Sequence, residues 1–284
     1  MKLISYRRNG ALRIGALTDE GIAELDQRVP GELAAALGAG ADLHAAAQSA
    51  IAINLTRLSL DEVDLAPVVP RPAKVVCMGL NYYSHAKEVG LEKPSYPMVF
   101  MRGSSSLVAH GKPAIRPRVS ESFDFEAELA VVIGKSIRHA TASNALDCVF
   151  GYSCFNDISV RDYQRKTPQY TMGKNFDATG AFGPCLVTAD QLPPGATGLQ
   201  IQGRLNGVVM QSSNTSDMIW GVVDTIVLLT ECMTLEPGDV IIMGTPGGVG
   251  AARKPPLWMK HGDLFEVEIE GIGVLSNPVQ DEAA

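Results

Sequence analysis

The chain has 284 residues, of which 46% are hydrophobic and 19% are charged, and its formal net charge is −7. This length allows one large domain, or one domain with a small appendage, to bury a sizeable core. An acidic chain without a dense run of lysine or arginine is not typical of nucleic-acid binding. The first residues lack the apolar run of a signal peptide, and no stretch of about 18 apolar residues indicates a membrane span. We therefore expect a cytoplasmic globular protein with no nucleic-acid or membrane partner.

The first 70 residues predict a small structural module without a catalytic pattern. Residues 3–6 and 11–17 are typical of two strands, and Asn9-Gly10 between them is a strong hairpin turn signal. The alanine-rich residues 31–53 predict a helix that is broken at two glycines. A proline-rich connector follows, with prolines at positions 67, 70 and 72. We place the domain boundary there, with a module of residues 1–70 and a catalytic domain of residues 71–284.

A short helical turn follows the predicted buried strand at residues 74–78. Ser84 is its expected N-cap and Gly90 its expected C-terminal stop. His85 and Glu88 are then three residues apart on one face, where Glu88 can orient the imidazole and raise its basicity for work as a general base. A surface helix with an incidental His–Glu contact fits the same pattern. Because so short a helix is marginal without packing, it is a candidate for a mobile lid.

Arg102 follows the next predicted strand, at the start of a small, polar loop. Such a loop can place a guanidinium group against a carboxylate. An exposed turn fits the local sequence equally well, so the pattern leaves both interpretations open.

The stretch from residue 124 to residue 134 is typical of a buried strand that carries two acids. Side chains alternate across a strand, so Glu126 and Glu128 share one face while Phe125, Leu129 and other apolar residues pack on the opposite one. Two buried acids side by side repel each other and lose hydration, and a hard divalent cation is the usual compensation. An edge strand with both glutamates in water is the alternative.

Asp157 ends another apolar strand-like run and supplies a further buried-acid position. Two glutamates and one aspartate are the all-oxygen donor set of Mg²⁺ or Mn²⁺, and the lack of His or Cys beside them disfavours zinc. Lys174 stands in a polar loop next to Gly173, where one ammonium group can reach a tight site. On local context alone, an exposed lysine fits better.

The last third of the chain predicts a hairpin, a helix and two strands. The hairpin of residues 199–210 turns at Asn206-Gly207, residues 218–235 have helical spacing, and a strand at 240–243 ends in a glycine-rich loop at 244–250. No lysine follows this loop as in a P-loop, so its amides and Thr245 are better suited to hold a carboxylate. Residues 264–270 alternate as a strand whose acids face solvent.

These residues together resemble the fumarylacetoacetate hydrolase family, from about residue 70 to residue 279. The resemblance rests on the motifs Gly79-x-Asn81-Tyr82-x-x-His85-x-x-Glu88, Asp124-x-Glu126-x-Glu128-Leu129, Asn156-Asp157, Arg161-Asp162-x-Gln164, Gly173-Lys174, residues 213–218, and Gly244-Thr245-Pro246-x-Gly248-Val249-Gly250. It implies a strand-rich α+β fold with a mixed β-roll or β-sandwich catalytic domain after a small N-terminal module. It also implies a homodimer and a divalent metal, Mg²⁺ or Mn²⁺.

Site residues follow from the resemblance position by position. It implies metal ligands Glu126, Glu128 and Asp157, catalytic residues His85, Glu88 and Lys174, and substrate-binding residues Arg102, Gln164 and Thr245. In these roles His85 and Glu88 would activate water on a lid, and Lys174 would stabilise or protonate an enolate. Arg102-Gly103 stands where many members have Lys-Pro, and residues 177–182 also depart from the usual pattern, so the substrate's identity stays open.

The implied function is metal-dependent hydrolysis of a C–C bond in 2,4-dioxo acids, that is, acylpyruvates such as fumarylpyruvate. The His85–Glu88 pair favours hydrolysis over simple enolate chemistry. The same site suits an oxaloacetate-type decarboxylase or a 2-hydroxyhepta-2,4-diene-1,7-dioate-type isomerase, and the fold does not choose among them. A ligand-binding module without catalysis is disfavoured, because every catalytic position is filled.

Overall fold

The computed structural model describes residues 1–53, 57–90 and 93–283. Its regular structure is mostly strand, in agreement with the predicted α+β, strand-rich class. The strands are β1 (Lys2–Arg8), β2 (Ala11–Thr18), β3 (Gly21–Glu24), β4 (Asp64–Leu65), β5 (Val75–Gly79), β6 (Met98–Arg102), β7 (Leu107–Ala109), β8 (Ala114–Arg116), β9 (Phe123–Asp124), β10 (Ala127–Ile133), β11 (Val149–Asp157), β12 (Ser159–Val160), β13 (Gly180–Thr188), β14 (Gln200–Leu205), β15 (Val208–Asn214), β16 (Val240–Ile242), β17 (Leu264–Ile269) and β18 (Gly273–Asp281). The helices are α1 (Leu33–Gly38), α2 (Leu43–Ile53), α3 (Tyr83–Glu88), α4 (Arg161–Gln164), α5 (Thr171–Lys174) and α6 (Val222–Cys232).

Two sheets form the main layers. The larger has the order β3-β2-β1-β13-β11-β10-β16-β5-β6, with β4 beside β1 and β7 beside β13. The smaller has the order β15-β14-β17-β18-β8, and β9 and β12 pair separately. Phe125, just before β10, stacks on Phe265 of β17 with ring centroids 4.7 Å apart. Apolar side chains therefore fill the space between the sheets, as in a sandwich.

The central strand β10 is buried on both faces, and its alternation is confirmed. The odd-numbered residues from Phe125 to Ile133 belong to the core between the two sheets. Ala130 and Val132 belong to a second core, which α1 and α2 cover from the other side of the large sheet. Because both faces are covered, the alternative of an edge strand with its glutamates in water is wrong.

The N-terminal hairpin is also confirmed. Strands β1 and β2 pair antiparallel, and Asn9 and Gly10 turn the chain with φ values of 50° and 76°, as such a tight turn requires. Strand β1 also pairs with β13, with Leu3 opposite Leu186, so the leading strands extend the large sheet. The division at residue 70 stays a prediction, since strand pairing alone does not define a folding unit.

Two helix starts differ from the prediction. The N-cap position of α3 is Tyr82, so Ser84 is not the cap but lies inside the helix. Helix α6 begins at Val222 instead of Met218, because Met218 pairs with Tyr82 in an isolated bridge and a 3-10 turn precedes it. The predicted stop at Gly90 is confirmed, with a φ of 73° just after α3.

Helices in the described part of the chain are all too short or too polar to span a membrane. The final strands are as predicted: β14 and β15 form the hairpin around Asn206-Gly207, and β17 alternates buried and partly exposed residues. Glu266 and Glu268 on β17 contact Arg204 of the neighbouring β14, so these acids lie at the surface in ion pairs.

Candidate active site

Three buried acids lie close together at the adjoining ends of two neighbouring strands in the middle of the large sheet. Glu126 precedes β10, Glu128 lies within it, and Asp157 is the last residue of β11, its antiparallel neighbour. Their exposed fractions are 6%, 2% and 1%. One carboxylate oxygen from each lies within 4.8 Å of the others. The prediction that these acids meet is therefore confirmed.

Two cations hold Glu126. The Lys174 ammonium group lies 2.7 Å from Glu126 Oε2, and Arg161 Nη2 lies 2.6 Å from Oε1. Arg161 also pairs with the buried Asp124, at 2.7 Å. Lys174 reaches Asp157 as well, at 2.5 Å from Oδ2 and 3.0 Å from the carbonyl oxygen. Lys174 is thus buried and paired, and the local prediction of an exposed lysine is wrong.

Glu128 is held differently from its neighbours. Its carboxylate accepts a hydrogen bond from the Gly244 N–H at 2.5 Å and forms no ion pair with a described residue. Gly244 has a φ of 88°, and an added Cβ would lie 2.7 Å from the Cβ of Asn81. Glycine is therefore required there for the backbone amide to reach the acid.

Burial and neighbouring charges separate the pKa values of these groups. Burial, with the charges of Asp157 and Glu126, raises the pKa of Glu128 well above its ordinary value. Burial also acts on Glu126, but the charges of Lys174 and Arg161 outweigh it and lower the pKa to about 2. For Lys174, the attraction of the carboxylates outweighs burial and raises the pKa. Glu128 is thus the acid whose charge is least compensated.

The acidic centre fits a hard divalent cation. Around it, the described chain places four buried carboxylates and three buried cations: Asp124, Glu126, Glu128 and Asp157 against Arg102, Arg161 and Lys174. With all four carboxylates ionised, this leaves one excess negative charge on the wall of the cavity. An all-oxygen donor set with excess negative charge is what Mg²⁺ and Mn²⁺ prefer.

Arg102 lies behind the acids and does not line the cavity. Its Nε lies 2.8 Å from Asp157 Oδ1, and its Nη2 donates to the carbonyl oxygens of Ile158 and Thr179. Its exposed fraction is 3%, so the alternative of an exposed turn is wrong. The guanidinium group orients Asp157 from the side away from the cavity.

Gln164 and Thr245 do line the cavity. The side-chain oxygen of Gln164 accepts from Arg161 Nη1 at 3.0 Å, which leaves its amide N–H groups available. The Thr245 hydroxyl donates to the Ala127 carbonyl at 3.0 Å and accepts from Gln211 at 2.8 Å. Both are therefore fixed in orientation by the surrounding protein.

His85 and Glu88 form the expected pair on α3. His85 Nδ1 lies 3.1 Å from Glu88 Oε2, and Glu88 also accepts from the Gly248 N–H at 2.9 Å. An ionised carboxylate only accepts hydrogen bonds, so the hydrogen of the imidazole is on Nδ1 and Nε2 is the free acceptor. His85 lines the cavity that holds the acids.

The cavity has a volume of about 240 Å³. Its walls combine the acids, Lys174 and Arg161 with apolar and aromatic side chains, among them Met78, Leu80, Val89, Phe100, Tyr170 and Val249. The cavity is slightly smaller than the range of about 300–1,000 Å³ common for small-molecule sites, which suits a compact substrate.

Arg161 and Asp124 are residues of the site to which the sequence patterns assigned no role, whereas Gly244 belongs to the loop whose amides were expected to hold a carboxylate. Arg161 and Asp124 stand within motifs that carried the family resemblance, but nothing local indicates that they pair across 37 positions of the chain. Gly244 begins the glycine-rich loop, and its contact with Glu128 spans 116 positions. For Arg161 and Asp124, the only signal in the sequence was their presence in the motifs.

The fold is that of a known enzyme family. The family model for the C-terminal part of fumarylacetoacetate (FAA) hydrolase matches residues 74–280. The chain belongs to this family. The resemblance inferred from the motifs is thereby confirmed, and the family consists of enzymes that act on small organic acids.

Members of the family with similar sequences and structures differ in activity. The mitochondrial oxaloacetate tautomerase FAHD2A of Homo sapiens is 40% identical over 256 residues, which cover 89% of this chain and 81% of that protein. A fumarylacetoacetate hydrolase of Exiguobacterium antarcticum is 36% identical, with a TM-score of 0.86 over 99% of this chain and 100% of that one. The maleylpyruvate hydrolase of Sphingobium sp. SYK-6, solved with manganese(II) and pyruvate, is 27% identical, with a TM-score of 0.83 over 100% of both chains.

Proposed function

We propose that this enzyme interconverts the keto and enol forms of a small 2-oxo acid of the oxaloacetate type, with Mg²⁺ or Mn²⁺ held by Glu126, Glu128 and Asp157. The buried, under-compensated acid trio is the observation that carries the proposal. The sequence identity to the oxaloacetate tautomerase supports this reaction, and the manganese complex of the maleylpyruvate hydrolase supports the metal. When bound, such a cation withdraws electron density from a 2-oxo acid and acidifies the carbon next to its carbonyl group.

His85 is the base in this proposal. Glu88 holds Nδ1 and fixes the ring, so Nε2 accepts the proton from the carbon next to the carbonyl group, while the carbonyl oxygen takes a proton from water in the cavity. In the reverse direction the enol oxygen gives its proton to water and Nε2 returns a proton to the carbon. The hydrogen bond to Glu88 keeps the imidazole ring in one orientation during this transfer.

Lys174 keeps the acids in place and supplies a positive charge beside the reacting atoms. Its three hydrogen-bond partners are Glu126 Oε2 and two oxygens of Asp157, which matches the three donors of an ammonium group. A proton from Nζ reaches an enolate only when one of these bonds opens. Gln164 and Thr245 are proposed to contact the carboxylate or carbonyl end of the substrate, and Arg102 to act on it through Asp157.

Hydrolysis of acylpyruvates at the C–C bond is the second candidate. The His85–Glu88 pair favours it, since an oriented imidazole with a free Nε2 can also remove a proton from water. This reaction needs a substrate with a second carbonyl group. Decarboxylation or a proton shift along a diene would use the same acidified carbon.

A substrate panel separates these reactions. Purified enzyme with Mg²⁺ would be mixed with enol-oxaloacetate, acetylpyruvate and fumarylpyruvate, while ultraviolet absorbance follows the enol and chromatography follows pyruvate release. We expect rapid loss of the oxaloacetate enol without pyruvate release, and the loss of this activity in His85→Gln. Release of pyruvate from acylpyruvates as the faster reaction would establish hydrolysis instead.

A further inference from the structure

One cation on the cavity wall has no acidic partner among the described residues. In the part of the chain that the structure describes, the arginine and lysine side chains that line the cavity are Arg161, Arg165 and Lys174. Buried carboxylates hold Arg161 and Lys174. The side chain of Arg165, by contrast, makes no hydrogen bond, ion pair or ring contact with a described residue. A positive charge at the cavity is therefore available to a ligand.

Arg165 stands at the outer part of the same wall as Arg161. It directly follows α4, and its backbone N–H donates to the Arg161 carbonyl at 3.1 Å. Residues four apart on a helical turn share a face, so both side chains belong to one side of the turn. Arg161 is buried and Arg165 is exposed. Arg165 therefore lies at the mouth of the cavity, beyond the acidic centre.

The charges of the site favour the binding of one more anionic group at the mouth of the cavity. The acidic centre alone has one excess negative charge, and a divalent cation changes this to one excess positive charge. The carboxylate next to the carbonyl group of a 2-oxo acid neutralises that remaining charge. A second carboxylate on the substrate then needs its own cation, and Arg165 is the lining cation that no acid in the described part of the chain holds.

We propose that Arg165 binds the second carboxylate of a dicarboxylic 2-oxo acid and gives the site its preference for dicarboxylates over monocarboxylates. A guanidinium group presents two parallel N–H donors that match a carboxylate. The inference rests on the proposed function, because the acidic centre must first orient the 2-oxo acid end. It makes Arg165 a specificity-determining residue outside the proton-transfer machinery.

The test compares Arg165→Met with Lys166→Met. Lys166 is the matched control because it is exposed, adjacent and equally charged, but it does not line the cavity and its ammonium group sits 3.4 Å from the centroid of the Tyr163 ring. Binding of oxaloacetate and of pyruvate to each Mg²⁺-loaded protein would be measured by calorimetry, together with KM and kcat for oxaloacetate. Arg165→Lys serves as the partial-rescue variant.

We expect Arg165→Met to weaken oxaloacetate binding and raise its KM by about tenfold to a hundredfold, the range for a lost hydrogen-bonded charge. Pyruvate binding and kcat should stay within twofold of wild type, as should every value for Lys166→Met. Arg165→Lys should recover part of the loss. Equal effects of Arg165→Met on both ligands, no effect on either, or an equal effect of Lys166→Met would overturn the inference.

The design separates this inference from the proposed function. Wild-type protein that binds oxaloacetate through Arg165 but does not interconvert its tautomers would refute the proposed reaction and keep the role of Arg165. Wild-type protein that turns over oxaloacetate with no dependence on Arg165 would refute the role of Arg165 and keep the proposed reaction. If wild-type protein binds neither acid, both are refuted.

Discussion

At the scale of single residues, Lys174 neutralises two of the three acids, and its removal should be costly. Without its ammonium group, Glu126 and Asp157 are buried with less compensation. We expect Lys174→Met to lower the free energy of unfolding of the metal-free protein by about 3–5 kcal/mol, the usual cost of breaking a buried ion pair from one side. Activity should fall by about 10²–10⁴-fold.

Urea denaturation and steady-state kinetics check this prediction for Lys174. Lys112→Met is the control, since Lys112 forms an exposed ion pair with Asp64 and should change stability by less than about 1 kcal/mol. A Lys174→Met protein with wild-type stability and activity would show that the acids need no fixed cation.

Glu88 gives a prediction of pH dependence. Burial raises its pKa, but the hydrogen bonds from His85 and the Gly248 N–H outweigh burial and lower the pKa below the ordinary 4.5. A lowered pKa in the folded state means that these bonds stabilise the protein fully above about pH 4.5 and that their contribution is lost as the pH falls through the folded pKa. The difference in Tm between wild type and Glu88→Gln should therefore shrink as the pH is lowered from 6 to 3.

Thermal unfolding of both proteins across this range makes the comparison. Because all other carboxylates are common to the two, the difference isolates position 88. A Tm difference that is constant with pH, or that grows in acid, would contradict the charged state of Glu88.

At the scale of elements, helix α3 depends on an anchor far away in the chain. The backbone N–H of Ser84 and its hydroxyl both donate to Asp217 Oδ2, at 3.1 Å and 2.6 Å. We expect Asp217→Ala to lose about 1 kcal/mol of local stability, as for a lost helix cap. Amides of α3 should then exchange faster and KM should rise, while the core strands keep their protection.

Hydrogen exchange by mass spectrometry over residues 83–90 measures this effect. Asp19→Ala, a change in the exposed turn between β2 and β3, is the control and should leave α3 unchanged. Unaltered exchange in α3 of Asp217→Ala would mean that the anchor does not hold the helix.

The elements also show how far sequence reasoning reaches. Strand β10 was predictable because apolar side chains on one face alternate with the two acids on the other, and that pattern is local. The anchor of α3 was not predictable, because Ser84 donates to Asp217, 133 positions away in the chain. The acids Glu126 and Glu128 were identifiable because they belong to the same local pattern. The burial of Arg102 against Asp157, by contrast, depends on strand pairing that the local sequence does not show.

At the scale of the whole molecule, the large sheet brings the acids into one place. Antiparallel pairing of β10 with β11 sets Glu128 opposite Phe155 and Ala127 opposite Asn156, which brings Asp157 close to Glu126. The smaller sheet closes one side of this region and α1 and α2 close the other. The excess negative charge at the centre is therefore surrounded by protein except on the side of the cavity, and a divalent cation is the compensation that the account requires.

The most direct test of that claim is calorimetric titration of Mn²⁺ into metal-free wild type and Glu128→Gln, with Mg²⁺-dependent tautomerisation of oxaloacetate measured on the same samples. Gln keeps the side-chain size but removes the charge that forms no ion pair within residues 1–53, 57–90 and 93–283. We predict one bound ion per wild-type chain, binding weaker by about a hundredfold or more in the variant, and loss of its activity. Equal affinity and equal activity in the two proteins would contradict the account.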